Sequence, residues 1–406
     1  MAPFRYEGRL LWLSDTFSDR NGISTVLHAI LNEIQLRNLP VDILVSSSTL
    51  ESADHLIIIR PVVEFPIPYY RNQPFRIPGP LEIMRIFKKG DYTRIICSTE
   101  GPMGFTALWL KKWYGVPVSF FLHTDWITFA ANVLSFGKAS TALLRHLLQW
   151  YYKSYSNIFV LNTEQQGWLT GHQTGMDPSR VFLTAHWADG LFQDGAKTIA
   201  REDNGINEIH TEPQIIMDIS TEGKRWNFEP ALPIMLFTGR LSREKGVLEL
   251  PAIYRMVRTV LPEVQMVIAG TGPAETEMKN ALPEAFYTGW VEHTDLPELY
   301  RKADILIMPS RFDTFSCVVL EAMSCGLPVV AYRTKGPGDI INDGTNGFLA
   351  ESAEEIAGKV IGYFLDPRLR EKMKQAAIER AGDYRSAEIM DRLLMDIGII
   401  SQSRLA

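Results

Sequence analysis

Short apolar-dominated runs recur along the chain, separated by longer stretches whose apolar residues return every three or four positions. Runs of this kind, without polar alternation, read as strands covered on both faces of a parallel sheet. In the first half they fall at Leu10–Leu13, Val41–Val45, Arg94–Cys97, Val118–Leu122 and Ile158–Leu161, with helical periodicity between them at Ser24–Arg37 and Gly104–Tyr114. A second series predicts strands at Ile234–Thr238, Val264–Ala269, Ile305–Met308 and Pro328–Ala331, with helices starting near Gly246, Ala274 and Leu296. Strands alternating with helices predict an α/β fold with doubly wound parallel sheets.

The two series are separated by a polar interval that includes Arg201-Glu202-Asp203-Asn204-Gly205. This predicts a first domain over 1–192, a connection over 193–233 and a second domain over 234–385. A length of 406 residues exceeds what one core ordinarily organises, which also favours two domains. The net charge of -6 argues against a nucleic-acid partner. Cys97, Cys317 and Cys325 lack metal-ligand or CxxC spacing and read as reduced thiols of a cytosolic protein. No apolar run reaches the roughly 18 residues of a membrane span, and Arg9–Leu13 reads as a strand rather than a leader, so the expected location is cytoplasmic.

Several strand ends carry chemistry. Pro309 to Gly347 holds Asp313 and Glu321, eight positions apart, around a turn that opens a helix. Free N–H groups at such a turn suit phosphate, and the acids accept from hydroxyls. A nucleotide sugar has both features, although an acid pair at this spacing is also an ordinary surface pattern. Thr238-Gly239-Arg240-Leu241-Ser242-Arg243-Glu244-Lys245-Gly246 ends another strand, and Arg240 and Lys245 can converge on a diphosphate. Gly22 and Ser24 follow the first strand and open the first helix, an ordinary turn or a phosphate approach. His123 and Asp125 end the strand Val118–Leu122, where polar residues of an open sheet face its crevice. Glu100 lies in a Gly/Pro turn that is either structural or a hydrogen-bonding group. The helix Lys138–Ser154 has a Leu143, Leu144, Leu147, Leu148 and Tyr151 stripe with basic neighbours, which reads either as core packing or as contact with an anionic membrane surface.

Glu321-Ala322-Met323, then Gly326, Pro328, Val329, Val330 and Ala331, resemble the donor-binding signature of the family-4 glycosyltransferases of the GT-B fold. Asp313 stands where that signature has a glutamate, a departure by one methylene. Asp15-Thr16-Phe17 with Asn21-Gly22-Ile23-Ser24, and Gly239 to Gly246, resemble two further segments of the family. Thr99-Glu100-Gly101-Pro102-Met103-Gly104 looks like an element of its mannosyl- and glycolipid-type branch. Trp187-Ala188-Asp189-Gly190-Leu191-Phe192 matches the usual G-V-D-x-x-x-F only loosely.

The resemblance implies two Rossmann-like domains facing each other across a cleft, with the C-terminal helix at about 386–406 packing back on the first. It implies transfer of a hexose from a UDP- or GDP-hexose to a sugar, glycan or lipid hydroxyl, with retention and without a metal or other cofactor. Peripheral contact with the inner face of a membrane would accompany a lipid acceptor. Its site would comprise catalytic His123, Arg240, Lys245 and Asp313. The donor would also meet Gly22, Gly270, Val291, Phe315, Ser316, Cys317 and Glu321, with Glu100, Asp125 and Trp126 on the acceptor side. Two other classes share the features: a nucleotide-sugar isomerase or epimerase of the same shape, and a non-catalytic nucleotide-sugar-binding protein.

Overall fold

The computed structural model describes residues 5–19, 22–67, 70–132, 136–172, 174–192, 228–229 and 232–401. They form two compact units, one within Met1–Trp187 plus Tyr384–Ala406 and one within Ala188–Asp383. The connection expected over 193–233 lies almost wholly outside the described residues.

The strands of the first unit begin with β1 (Arg5–Tyr6), β2 (Arg9–Ser14), β3 (Val41–Ser46) and β4 (Leu56–Ile59). A two-stranded antiparallel ribbon follows, β5 (Pro61–Ile67) with β6 (Tyr70–Pro78). Then come β7 (Tyr92–Cys97), β8 (Val118–Leu122), β9 (Asn157–Val160) and β10 (Val181–Leu183). Seven of these make a parallel sheet in the order β10-β9-β8-β7-β2-β3-β4. Leu10, Leu11, Trp12 and Leu13 are wholly buried because β2 lies inside the sheet with helices on its faces. The helix Gly22–Arg37 buries Leu27, Ile30, Leu31 and Ile34, the three-and-four spacing of one helical face.

The second unit carries β11 (Ile234–Thr238), β12 (Gln265–Ala269), β13 (Phe286–Gly289), β14 (Ile305–Met308), β15 (Val329–Tyr332) and β16 (Gly347–Ala350). Their order is β13-β12-β11-β14-β15-β16, all parallel. Met235, Phe237, Ile305 and Ile307 share one core with Ile253 and Val257 of the helix Leu250–Arg258. Phe192 also packs in this unit, its ring 5.0 Å from His293 and 5.9 Å from Tyr300.

The chain ends on the first unit. Arg37 Nη2 meets Asp391 Oδ1 of the helix Ser386–Ile397 at 2.5 Å, and β17 (Ile400–Ser401) pairs antiparallel with β1.

One helix start differs from the sequence reading. Two 3-10 turns, Arg243–Lys245 and Val247–Glu249, flank Gly246, and the α-helix begins only at Leu250. Gly246 sits at φ 69°, outside the helical region, and a Cβ there would lie 1.8 Å from the Pro309 carbonyl oxygen.

Candidate functional site

In the second sheet the chain runs from β11 outward to β13, then returns to β14 on the other side of β11. The loops after β11 and β14 therefore diverge, and open α/β sheets bind ligands at such a reversal. On the β12 side the loops are pinned backbone to backbone. Gly239 N–H donates to Ala269 O at 3.0 Å, Gly270 N–H to Gly289 O at 2.7 Å, and Leu241 N–H to Thr271 O at 3.0 Å. A Cβ on Gly270, at φ 138°, would lie 1.9 Å from Gly239 O, so glycine is what lets the two turns stack. Val291 is half-buried just beyond β13, and the exposed Trp290 donates its indole N–H to Glu292.

Between the diverging loops, Lys245 Nζ donates to Asp313 Oδ1 at 2.5 Å. The Lys245 side chain is 34% exposed and that of Asp313 12%. Burial opposes the Lys245 charge, but the Asp313 carboxylate outweighs it and holds the ammonium above its ordinary range. Asp313 Oδ2 is buried without a hydrogen-bond partner among the described residues. The sequence reading gave Lys245 to phosphate and Asp313 to sugar as separate groups; in the structure they form one ion pair. Arg240 is exposed in the same loop.

Asp313 leads into the helix Cys317–Ser324, which Ser316 precedes at φ 74° and ψ 79° without a side-chain capping bond. This is an uncommon conformation for a residue with a Cβ, and such residues gather at ligand sites. Phe315 is buried behind the turn, and a Cβ on Gly336 would lie 2.3 Å from Phe315 Cα, so the loop after β15 lies hard against it. Burial pushes the Cys317 thiol up, which makes it a packing group rather than a nucleophile. The helix N-terminus and the Lys245 ammonium share this corner, an arrangement that suits a diphosphate.

Glu321 lies one helical turn further in and is buried. Tyr300 donates its hydroxyl to Glu321 Oε2 at 3.1 Å and is itself 3.0 Å from Thr238 Oγ1. His293 Nε2 is 3.8 Å from Glu321 Oε1, and the interaction with that carboxylate raises its pKa above the ordinary 6.5. The sequence reading missed Tyr300 and His293, which reach Glu321 only through the fold.

In the first unit, Gly22 opens its helix with nothing within 4 Å of where a Cβ would stand. His123 follows β8, is 8% exposed, and stacks on Phe121 at 4.4 Å and on His186 at 5.2 Å. Burial lowers its pKa from 6.5 to about 3, so it is neutral at physiological pH. Burial likewise raises Glu100 from 4.5 to about 7, and Tyr152 donates to it at 2.9 Å. Asp125 accepts from Thr128 N at 3.0 Å and Thr128 Oγ1 at 2.6 Å, so it caps the helix that begins at Trp126. Asp15, which the sequence reading named within a family-like segment without a role of its own, binds Thr99 and Met103 N–H where this sheet reverses between β2 and β7. Burial raises its pKa to about 6.

The stripe on Lys138–Lys153 divides. Leu148 and Tyr151 are buried, whereas Leu143, Leu147 and Trp150 are 62%, 56% and 64% exposed. Among the described residues no helix is long and apolar enough to cross a membrane, and no group of three or more His, Cys, Asp or Glu could hold a metal ion.

Residues 20–184 match the model of the family described as Glycosyltransferase Family 4, and residues 218–380 that of Glycosyl transferases group 1. The sulfoquinovosyl transferase SQD2 of Arabidopsis thaliana is 28% identical, over 79% of this chain and 59% of its own length. A GDP-mannose-dependent alpha-mannosyltransferase of Corynebacterium glutamicum is 30% identical, over 49% of this chain and 50% of its own. The chain thus spans between half and two thirds of these curated relatives. The solved structure of Anabaena HepE in complex with UDP superposes with a TM-score of 0.68 at 16% identity, over 95% of this chain and 98% of that one. Matched in both halves and sharing the two-sheet GT-B fold, the chain belongs to the family 4 and group 1 glycosyltransferases.

Proposed function

We propose that this protein is a retaining hexosyltransferase that uses a UDP- or GDP-hexose and no metal. The observation that carries the proposal is the corner of the second unit where Lys245, Asp313 and the N-terminus of Cys317–Ser324 meet at the sheet reversal. The UDP complex of HepE and the GDP-mannose dependence of the Corynebacterium relative support a nucleoside diphosphate sugar as the donor class.

In the proposed reaction the bond from the anomeric carbon to the diphosphate oxygen breaks and a bond to the acceptor oxygen forms. The acceptor proton leaves on the released diphosphate. Lys245 and Arg240 take the charge that develops on the diphosphate, with the helix N-terminus adding N–H donors. Asp313 keeps Lys245 protonated and offers its second oxygen to a sugar hydroxyl. Glu321, held by Tyr300 and His293, receives the ribose hydroxyls. Neutral His123 enters only as an uncharged hydrogen-bonding group, because a proton on it is disfavoured well below pH 6.5. We assign the first unit to the acceptor, a sugar, glycan or lipid hydroxyl in glycolipid or cell-surface polysaccharide synthesis at the cytoplasmic side of a membrane.

The test is incubation with UDP-, GDP- and ADP-hexoses and a panel of sugar and lipid acceptors. Mass spectrometry reads the product and NMR its anomeric configuration. A hexosylated acceptor with the donor's configuration is expected. An isomerised donor with no acceptor product would overturn the assignment.

A further inference from the structure

Lys245 and Asp313 stand on turns with uncommon backbones, Gly246 at φ 69° beside the first and Ser316 at φ 74° beyond the second. Such turns persist only where their surroundings over-determine them. In the second unit those surroundings close on one side chain. Tyr332 ends β15 with its ring wholly buried. Its hydroxyl donates to Glu249 Oε2, in the segment that carries Lys245. The Arg311 guanidinium, just ahead of Asp313, lies over the same ring at 3.6 Å from its centroid. Arg311 Nε is 3.9 Å from Glu249 Oε1, which closes the triangle.

These contacts are of a kind that holds a turn. Burial, and then the Glu249 carboxylate, push the Tyr332 hydroxyl above its ordinary range, so it keeps its proton and donates. A carboxylate acceptor makes that bond charge-assisted. The guanidinium is attracted to the face of the ring. The Arg311–Glu249 contact alone would hold little, since the side chains are 45% and 37% exposed. The buried ring supplies the fixed point.

Tyr332 reaches Asp313 by a second route. Thr334 N–H donates to Tyr332 O at 2.8 Å, and Gly336 N–H to Asp313 O at 3.4 Å. The loop after β15 thus rests on Tyr332 at one end and on Asp313 at the other. The loops after β11 and β14 also touch directly, where Gly246 abuts the Pro309 carbonyl and Ser310 Oγ donates to Glu244 O at 3.4 Å. A phenylalanine at 332 would fill the core equally well. The hydroxyl and its two charged partners are what the core does not explain.

We propose that Tyr332, with Glu249 and Arg311, forms a positioning clasp that holds Lys245 and Asp313 in register for the transfer. That turnover depends on the clasp rests on the glycosyltransferase reading above; that the clasp holds the two loops does not. A misplacement of about 1 Å in a group that acts on the reacting centre can cost about 10²-fold in rate, so a small release of either loop is readable.

The test joins hydrogen exchange to kinetics on the full chain. Tyr332→Phe keeps the ring under Arg311 and loses the donor, Glu249→Ala loses the acceptor, and Glu249→Gln supplies a neutral one; thermal melting checks that each is folded. Without ligand, exchange read by mass spectrometry should be about tenfold faster over 239–249 and 309–316 in Tyr332→Phe and Glu249→Ala, with Glu249→Gln closer to wild type and β12 unchanged. With the donor that wild type uses, kcat should fall about tenfold or more in the same two variants while KM stays within about threefold, because Lys245 acts on charge that develops in the transition state. In a Lys245→Met background Tyr332→Phe should change kcat by less than about twofold, since the clasp acts through that pair. Unchanged exchange in the two loops would overturn the clasp. Faster exchange with wild-type kcat, or an equal fall in kcat with and without Lys245, would overturn it as well. Absence of turnover by wild type with every nucleotide hexose would defeat the donor reading alone, and the exchange result would still decide whether the clasp holds the loops.

Discussion

Replacing Lys245 by methionine separates what the ion pair does for the fold from what it does for the reaction. At 2.5 Å and an effective dielectric constant of about 20 the gross attraction is about 6–7 kcal/mol. Desolvation offsets much of that, and a lysine 34% exposed is partly screened, which leaves a net cost of about 1–3 kcal/mol on removal. The cost falls on Asp313, left 12% exposed with neither oxygen paired. At about 2 kcal/mol the melting temperature of a unit this size drops by about 4–8 °C. Turnover should fall further, by about 10²–10³-fold, the usual effect of losing one fixed donor to developing charge. The double variant Lys245→Met with Asp313→Asn removes the orphaned carboxylate, so melting should recover most of the loss while turnover stays low. Differential scanning calorimetry and saturating-donor turnover read the two effects on one preparation. Single-variant turnover within a few-fold of wild type, or restoration of turnover in the double variant, would refute the reasoning.

Three further outcomes are expected. Gly246→Ala should lower stability by about 2–4 kcal/mol in denaturant titration and weaken donor binding, because its φ of 69° and the Pro309 carbonyl at 1.8 Å force Lys245 to shift. Glu100 has its folded pKa raised to about 7, so its protonated form stabilises the fold at pH 4.5 and that contribution is lost as pH rises through 7. Glu100→Gln should therefore flatten the fall in melting temperature over that window. His293, raised above 6.5 by Glu321, stabilises the charged pair below pH 6.5, and the contribution fades as pH rises through the higher folded value. The melting-temperature difference between wild type and His293→Gln should shrink accordingly.

The buried strands were the most legible part of the chain. β8, β11 and β14 coincide with their apolar runs because strands covered on both faces leave no alternation to misread. The half-buried β13 and the ribbon β5–β6, with its internal prolines, carried no such run. Glycines were visible, but not their reasons: Gly270 and Gly336 are needed because another backbone passes within 2.5 Å of a Cβ. Glu321 was identifiable from its motif, whereas Tyr300, 21 positions away, and His293 join it only through the packed fold. His186 was likewise a lone histidine until β10 brought it onto His123. The Lys245–Asp313 pair spans 68 positions, so the sequence offered the two groups without their contact.

The most direct test of the donor site is calorimetric titration of wild type and Glu321→Gln with UDP-, GDP- and ADP-hexoses. Glutamine fills the same space and can keep Tyr300 as a partner, but it loses the charge-assisted bonds to ribose hydroxyls. One donor should bind wild type, with affinity about tenfold or more lower in the variant and little change in melting temperature. Equal affinity in the two proteins, or no nucleotide hexose bound by folded wild type, would contradict the account.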